Sequence, residues 1–245
     1  MEDARAFYAL YEGLERLGPG SADETRRALG LTGLSGPLEV LDMGAGTGAQ
    51  SLVLLEALPE ALVTAVDSHA PFLKAAARRV AAAGFSDRFA VLHADMADPP
   101  FTPGTVDLLW CEGAVYHLGV TEALRAWRPL LSPRGVVVFS EPVWTVARPD
   151  PEVEAAFAGY PAMTHARGVR ERIEAAGYLA AGGFLLREAA WDAYYRPLAA
   201  RERSLREAEG DNPALAEARA EIALRRRFRH QYGYAMFLAR PRQAA

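Results

Sequence analysis

Residues 38–51 read LEVLDMGAGTGAQS. A short apolar run, LEVLDM, leads straight into three glycines at alternate positions, Gly44, Gly46 and Gly48. The helix-forming stretch SLVLLEALP follows. Glycine reaches positive φ without steric penalty and lets a ligand approach the backbone. A helix that starts directly afterwards offers N–H groups that have no partner inside it. Strand, glycine turn and helix in this order constrain the chain more than any other feature. They open an α/β sheet that binds a ligand at the carboxyl edge of its strands.

The alternation continues. ALVTAVD (61–67), FAVLHAD (89–95), VDLLWCE (106–112) and GVVVFSEP (135–142) predict strands. PFLKAAARRVAAAG (71–84) predicts a helix with Pro71 near its start and Gly84 at its end. TEALRAWRPLL (121–131) predicts another, with SPRG after it as a turn. Continuously apolar strands separated by helices belong to a parallel sheet covered on both faces. Upstream, Tyr8, Leu10, Tyr11, Leu14 and Leu17 recur at helical spacing and predict an amphipathic helix over 3–17. GPGS (18–21) stops it, and Ser21 or Asp23 can cap a helix at about 22–30. Downstream, 164–177 reads as a helix and 178–191 contains a strand. Residues 192–209 and 212–229 read as helices split by GDNP, and YGYAMFLAR (232–240) as the final strand. The expected organisation is an N-terminal helical cap, 1–36, and a domain over 37–245. A helical insert at about 190–230 should lie on the sheet or over its C-terminal edge.

Composition narrows the function. A chain of 245 residues, 51% apolar, suffices for one sizeable domain with a small elaboration. A net charge of −4 provides no field for nucleic acid or an anionic membrane. The single cysteine, Cys111, leaves no internal disulfide or Cys-based zinc site, and no metal is expected. It fits a reducing cytoplasm, the expected location. The N-terminal segment lacks the pattern of a signal peptide. No stretch approaches the roughly 20 apolar residues of a membrane span.

The acids after the loop specify the ligand further. A dinucleotide fingerprint, G-x-G-x-x-G, places its third glycine one residue later than Gly48. Asp67 ends the second strand, 23 residues after Gly44, where an acid can take both ribose hydroxyls in either cofactor class. Asp95 ends the third, where a carboxylate can accept an adenine amino hydrogen while Met96 packs on the ring.

With VLDMGAGTGAQS (40–51), AVDSH (65–69), HADMADPPF (93–101), VDLLWCEGAVYHL (106–118) and LLSPRGVVVFSEP (130–142), the chain resembles the class I S-adenosylmethionine (SAM) dependent methyltransferases over residues 38–142. The resemblance implies a doubly wound, Rossmann-like sheet of seven mostly parallel strands with an antiparallel last strand, and SAM as cofactor. It places Gly44 and Gly46 beside the methionine part of SAM, Asp67 at the ribose, and Asp95 and Met96 at the adenine. The region around Cys111 falls near the amino group or sulfonium. Ala45 and Ser68 complete the expected cofactor set with Asp42, which either braces the loop or touches SAM. The fuller pattern looks like bacterial small-molecule methyltransferases, so a small-molecule acceptor is expected and nucleic acid and membrane are not; the oligomeric state is left open.

Other residues carry competing readings. DPPF (98–101) resembles the [ND]PP[YF] motif of amino-methylating enzymes, but it precedes the fourth strand instead of following it, and reads as a rigid loop. Cys111 lacks the Pro-Cys context of a pyrimidine-methylating nucleophile and reads as wall. Glu112 can deprotonate or orient the acceptor, bind the ammonium of SAM, or cap the next helix. His117 can act as base or pack under the sheet edge. Glu112 and His117 are the catalytic candidates. Tyr8 and Tyr11 lid the cofactor or pack the core. Trp144, His165, Trp191, Tyr194 and Tyr195 are acceptor-pocket candidates or a structural aromatic cluster. RRRFR (225–229) reads as a solvated face. The alternative functions are a non-catalytic SAM-binding module and a methyltransferase acting on a macromolecule. A nicotinamide oxidoreductase using Tyr-x-x-x-Lys is disfavoured, because Lys74 is the only lysine.

Overall fold

The computed structural model describes residues 2–242; Met1 and residues 243–245, the outer ends of the two expected units, lie outside the described residues. Helices α1 (Glu2–Tyr11) and α2 (Ala22–Thr32) come first. The helix expected to reach residue 17 ends early because Gly13 takes a left-handed φ of 80°. Residues 12–21 then run irregularly to α2, whose N-terminus is capped by Ser21 accepting from Glu24 N–H.

Strands β1 (Glu39–Met43), β2 (Leu62–Asp67), β3 (Phe89–His93) and β4 (Val106–Cys111) pair in parallel, with β1 between β2 and β4. Helices α3 (Ala49–Ala57), α4 (Ala70–Ala82) and α5 (Val120–Trp127) connect them. The long β5 (Leu131–Trp144) extends the parallel set. Beyond it come α6 (Pro151–Ala156), the two-residue β6 (Thr164–His165), α7 (Ala166–Ala175) and β7 (Tyr178–Leu185). Helices α8 (Glu188–Glu209) and α9 (Pro213–Phe228) precede β8 (Tyr232–Pro241). The strand order is β3-β2-β1-β4-β5-β8-β7, β8 running antiparallel to both neighbours, and β6 pairs with the end of β5. This is the expected Rossmann-like sheet of seven strands, with β6 as a short addition.

Period-two alternation divides the strand residues between two cores. Leu41, Leu109, Val137 and Phe139 pack with α5 and α7 on one face. Val40, Leu108, Trp110 and Val138 pack with α2 and α3 on the other. Two expectations are corrected here. The edge strand β3 is largely exposed, since only β2 pairs with it. SPRG is no turn: it opens β5, where the register shifts between Val106 and Leu108. Ser132 Oγ and Arg134 Nε donate to Asp107 at 2.7 and 2.9 Å and hold that irregular start to β4.

The insert stands over the sheet's carboxyl edge. Leu10 and Leu14 pack with Tyr194, Leu198, Leu215 and Ile222, so the N-terminal segment and the α8–α9 pair share an apolar core. Gly20 N–H donates to Ala190 O at 3.1 Å. Among the described residues no helix is long and apolar enough to cross a membrane.

Candidate active site

A cavity of about 1590 Å³ opens between the sheet's carboxyl edge and this roof. Its floor is the glycine loop. Gly44 and Gly48 have φ of 66° and 74°, which disfavours any side chain. Space excludes one as well: a Cβ on Gly44 would collide with Ala114 Cβ, and one on Gly48 would lie 2.8 Å from Ala76 Cβ. Below the loop, fully buried Asp42 accepts from Ser51 Oγ and from Gln50 Nε2. Burial raises its pKa to about 7. Asp42 therefore braces the start of α3 and does not line the cavity.

Asp67, at the end of β2, does line it. Its Oδ2 accepts from Gly46 N–H and its Oδ1 from His69 N–H, both at 2.8 Å, so one carboxylate fixes the glycine loop and the turn into α4. Gly44, Ala45, Gly46, Ser68, Asp95 and Met96 share the same wall. Asp95 accepts from Ala97 N–H at 2.8 Å, and Trp127 Nε1 donates to Met96 O at 2.7 Å. The N-terminal segment clasps the loop from above. Thr47 Oγ1 donates to Glu15 O at 2.8 Å, and Arg79 donates to both Thr47 O and Glu15 O. The Tyr8 ring stacks on His69 at 3.7 Å between centroids, which puts α1 at the cavity rim.

The end of β4 departs from the sequence expectation. Cys111 is wholly buried among Leu41, Phe139 and Val115, does not line the cavity, and burial pushes its thiol pKa well up. Glu112 lines the cavity, yet both its oxygens are engaged. Oε1 accepts from Thr25 Oγ1 at 2.6 Å and Trp110 Nε1 at 2.9 Å; Oε2 pairs with Arg16 Nη1 at 3.0 Å. The two charged side chains are only 8% and 5% exposed. Glu112 thus anchors the roof to the sheet, a geometry that leaves it unsuited to act as a free base. His117, on the turn after β4, lines the cavity without a hydrogen-bond partner among the described residues. Partial burial lowers its pKa, which favours the neutral imidazole.

The far end of the cavity is aromatic. Tyr11, Tyr116, Trp191, Tyr194, Tyr195 and Tyr234 line it, with Glu217 and Glu221 from α9. Trp144 and His165 do not. Trp144 packs on Phe157, and His165 bonds to Val146 O. In the arginine run Arg226, Arg227 and Arg229 are exposed, as expected of a solvated face, and Arg225 is the exception. Arg225 is buried: its guanidinium lies 3.8 Å from the Trp191 ring centroid, pairs with Glu188 and donates to Tyr232 O. Sequence reasoning missed Arg16, Thr25 and Glu221. They sit among other polar residues, as in ADETRRALGLT and EARAEIALRRRF, so nothing local marked them out.

A family model described as "Methyltransferase domain" matches residues 40–135. The malonyl-[acyl-carrier protein] O-methyltransferase of Laribacter hongkongensis is 31% identical over 53% of this chain and 44% of its own length. The demethylmenaquinone methyltransferase of Thermus thermophilus is 38% identical over 40% of this chain and 44% of its own. The chain thus spans less than half the length of these two relatives. A solved SAM-dependent methyltransferase from Geobacter sulfurreducens, in complex with S-adenosyl-L-homocysteine, superposes with a TM-score of 0.83 at 21% identity, covering 97% of this chain and 98% of that one. The glycine loop, the acid-tipped strands and the strand order agree with these likenesses: residues 40–135 match the methyltransferase-domain family, and the chain has the fold of the solved SAM-dependent methyltransferase.

Proposed function

We propose that the protein transfers a methyl group from SAM to a small molecule bound in the aromatic end of the cavity. The single observation that carries this reading is one continuous cavity with two chemically different ends. The glycine-loop end has the donors and acceptors of a nucleoside site, and the insert end has rings and carboxylates. The residues fit SAM: two cavity-lining carboxylates, Asp67 and Asp95, can accept from hydroxyl and amino groups. Met96 supplies apolar surface beside them.

On this reading Gly44, Ala45 and Gly46 border the methionine part, Asp67 and Ser68 the ribose, and Asp95 and Met96 the adenine. When bound, SAM supplies a methyl group already activated on a sulfonium. The chain's own task is to position the acceptor and, where needed, take its proton. His117 is the side chain suited to that second role, since its imidazole lines the cavity and burial lowers its pKa. Residues 1–36 then serve as a cap and the insert at about 190–230 shapes the acceptor pocket. Asp42 and Cys111 support the cofactor walls from behind.

The test is acceptor-dependent formation of S-adenosylhomocysteine from SAM across a panel of amines, phenols, quinols and carboxylic acids. Release with at least one class is expected. SAM binding with no release from any of them would favour the non-catalytic module.

A further inference from the structure

The ring-lined end of the cavity has a definite charge preference. Seven carboxylates line the whole cavity against two guanidiniums. Both guanidiniums are already paired: Arg16 with Glu112 at 3.0 Å and Arg227 with Glu152 at 2.7 Å. Among the described residues, none of the arginines lining the cavity is left to meet an anionic acceptor.

At the far end, Tyr195 OH donates to Glu221 Oε1 at 2.8 Å. Tyr195 lies against Tyr194, centroids 4.8 Å apart, and parallel to Trp191 at 5.9 Å. Trp191 in turn meets Tyr234 edge-on at 5.6 Å. Glu221 is exposed and lines the cavity, and Glu217 stands one turn earlier on α9. The protein around the cavity raises the pKa of Glu221 by desolvation, a sign that its charge lacks a cationic partner inside the protein. Aromatic rings and a carboxylate with no cationic partner among the described residues together attract an ammonium group, by the ring quadrupole and by charge.

Resting on the methyltransferase reading, we propose that the acceptor is a cationic amine, held by Glu221 beside the rings of Tyr194, Tyr195 and Tyr234. The transfer balances. The bound ammonium first gives up a proton to the His117 imidazole, which passes it to solvent, the freed lone pair forms the N–C bond, and the methyl C–S bond breaks with its pair left on sulfur. The product is again a cation when protonated, so a quaternary ammonium mimics it.

The test compares choline with its uncharged carbon isostere, 3,3-dimethylbutan-1-ol, by calorimetry on the full chain saturated with S-adenosylhomocysteine. Choline is expected to bind at least about tenfold more tightly, the scale of a well-formed cation–π site. Glu221→Gln, which keeps an acceptor for Tyr195, is expected to reduce the preference to about threefold or less while still binding S-adenosylhomocysteine. No choline binding, equal affinities, or an unchanged preference in Glu221→Gln would overturn the cationic acceptor and leave the methyltransferase reading standing. Choline preference in a protein that does not bind S-adenosylhomocysteine would support the cation site and overturn that reading instead.

Discussion

Arg16 and Glu112, 96 residues apart in sequence, form a buried 3.0 Å ion pair that fastens the N-terminal segment to the end of β4. Both residues line the cavity. Removing one partner of a buried pair strands the other charge and costs about 3–5 kcal/mol. Glu112→Ala also deprives Thr25 and Trp110 of their acceptor. Urea unfolding is expected to show a stability loss of about 3 kcal/mol, with the Arg16→Ala, Glu112→Ala double variant losing less than the sum of the singles. A loss below about 0.5 kcal/mol would mean that the pair does not hold the roof.

Gly44→Ala tests the loop. The substitution needs a left-handed φ and drives a methyl into Ala114 Cβ. The strain and overlap together are expected to cost on the order of 2 kcal/mol in a thermal or urea melt. SAM affinity should fall with it, because Ala114 lies on the same cavity wall. A variant that melts and binds like the parent would show that the loop relaxes freely.

The stability profile with pH should have two sides. Asp42 and Glu141 are buried and raised from 3.8 and 4.5 to about 7. A carboxyl whose folded pKa lies above its unfolded value binds its proton more tightly when folded. Stability therefore falls as pH rises from the unfolded pKa through about 7, by at most about 4 kcal/mol per group. Glu24 and Asp107, held below the usual carboxylate range despite burial by Arg187 and by Arg134 with Ser132, act oppositely. Their contribution is present above the unfolded pKa and lost as pH falls through the folded one. Melting temperature is expected to peak at about pH 4, the unfolded carboxyl range, and to fall toward neutral pH; a steady rise to pH 8 would contradict the burial of Asp42 and Glu141 as carboxyls.

His117→Ala separates chemistry from binding. If the imidazole takes the acceptor proton, turnover should drop about 100-fold, while the S-adenosylhomocysteine Kd changes less than about twofold. In the parent, kcat should fall as pH drops through the lowered imidazole pKa. Unchanged kcat would reduce His117 to a wall residue.

The sheet was legible because each strand is apolar over its own length and each glycine turn is a local event. The order of strand-end acids, Asp67 and Asp95, follows from that register and brings both to one cavity wall. The role of Glu112 was not legible, since its partners Arg16 and Thr25 lie 96 and 87 positions away. Local neighbours left it open between an acceptor role, an ammonium ligand and a helix cap. In RRRFR only Arg225 was not legible, for a related reason: a charge run on a helix does not reveal that this one arginine turns inward against Trp191. Aromatic pocket candidates were found only where rings clustered in sequence, as at Trp191, Tyr194 and Tyr195. Tyr116 and Glu221 join them through tertiary packing.

The most direct test of the account is a calorimetric titration of SAM into the parent chain and into Asp67→Ala. The parent should bind SAM with one-to-one stoichiometry. The variant loses the strand-end carboxylate and should bind more weakly by about 1.5–3 kcal/mol, roughly 10- to 150-fold, the scale of charge-assisted hydrogen bonds. Equal affinity in the two proteins, or no SAM binding by the parent, would contradict the assignment of this cavity to the cofactor.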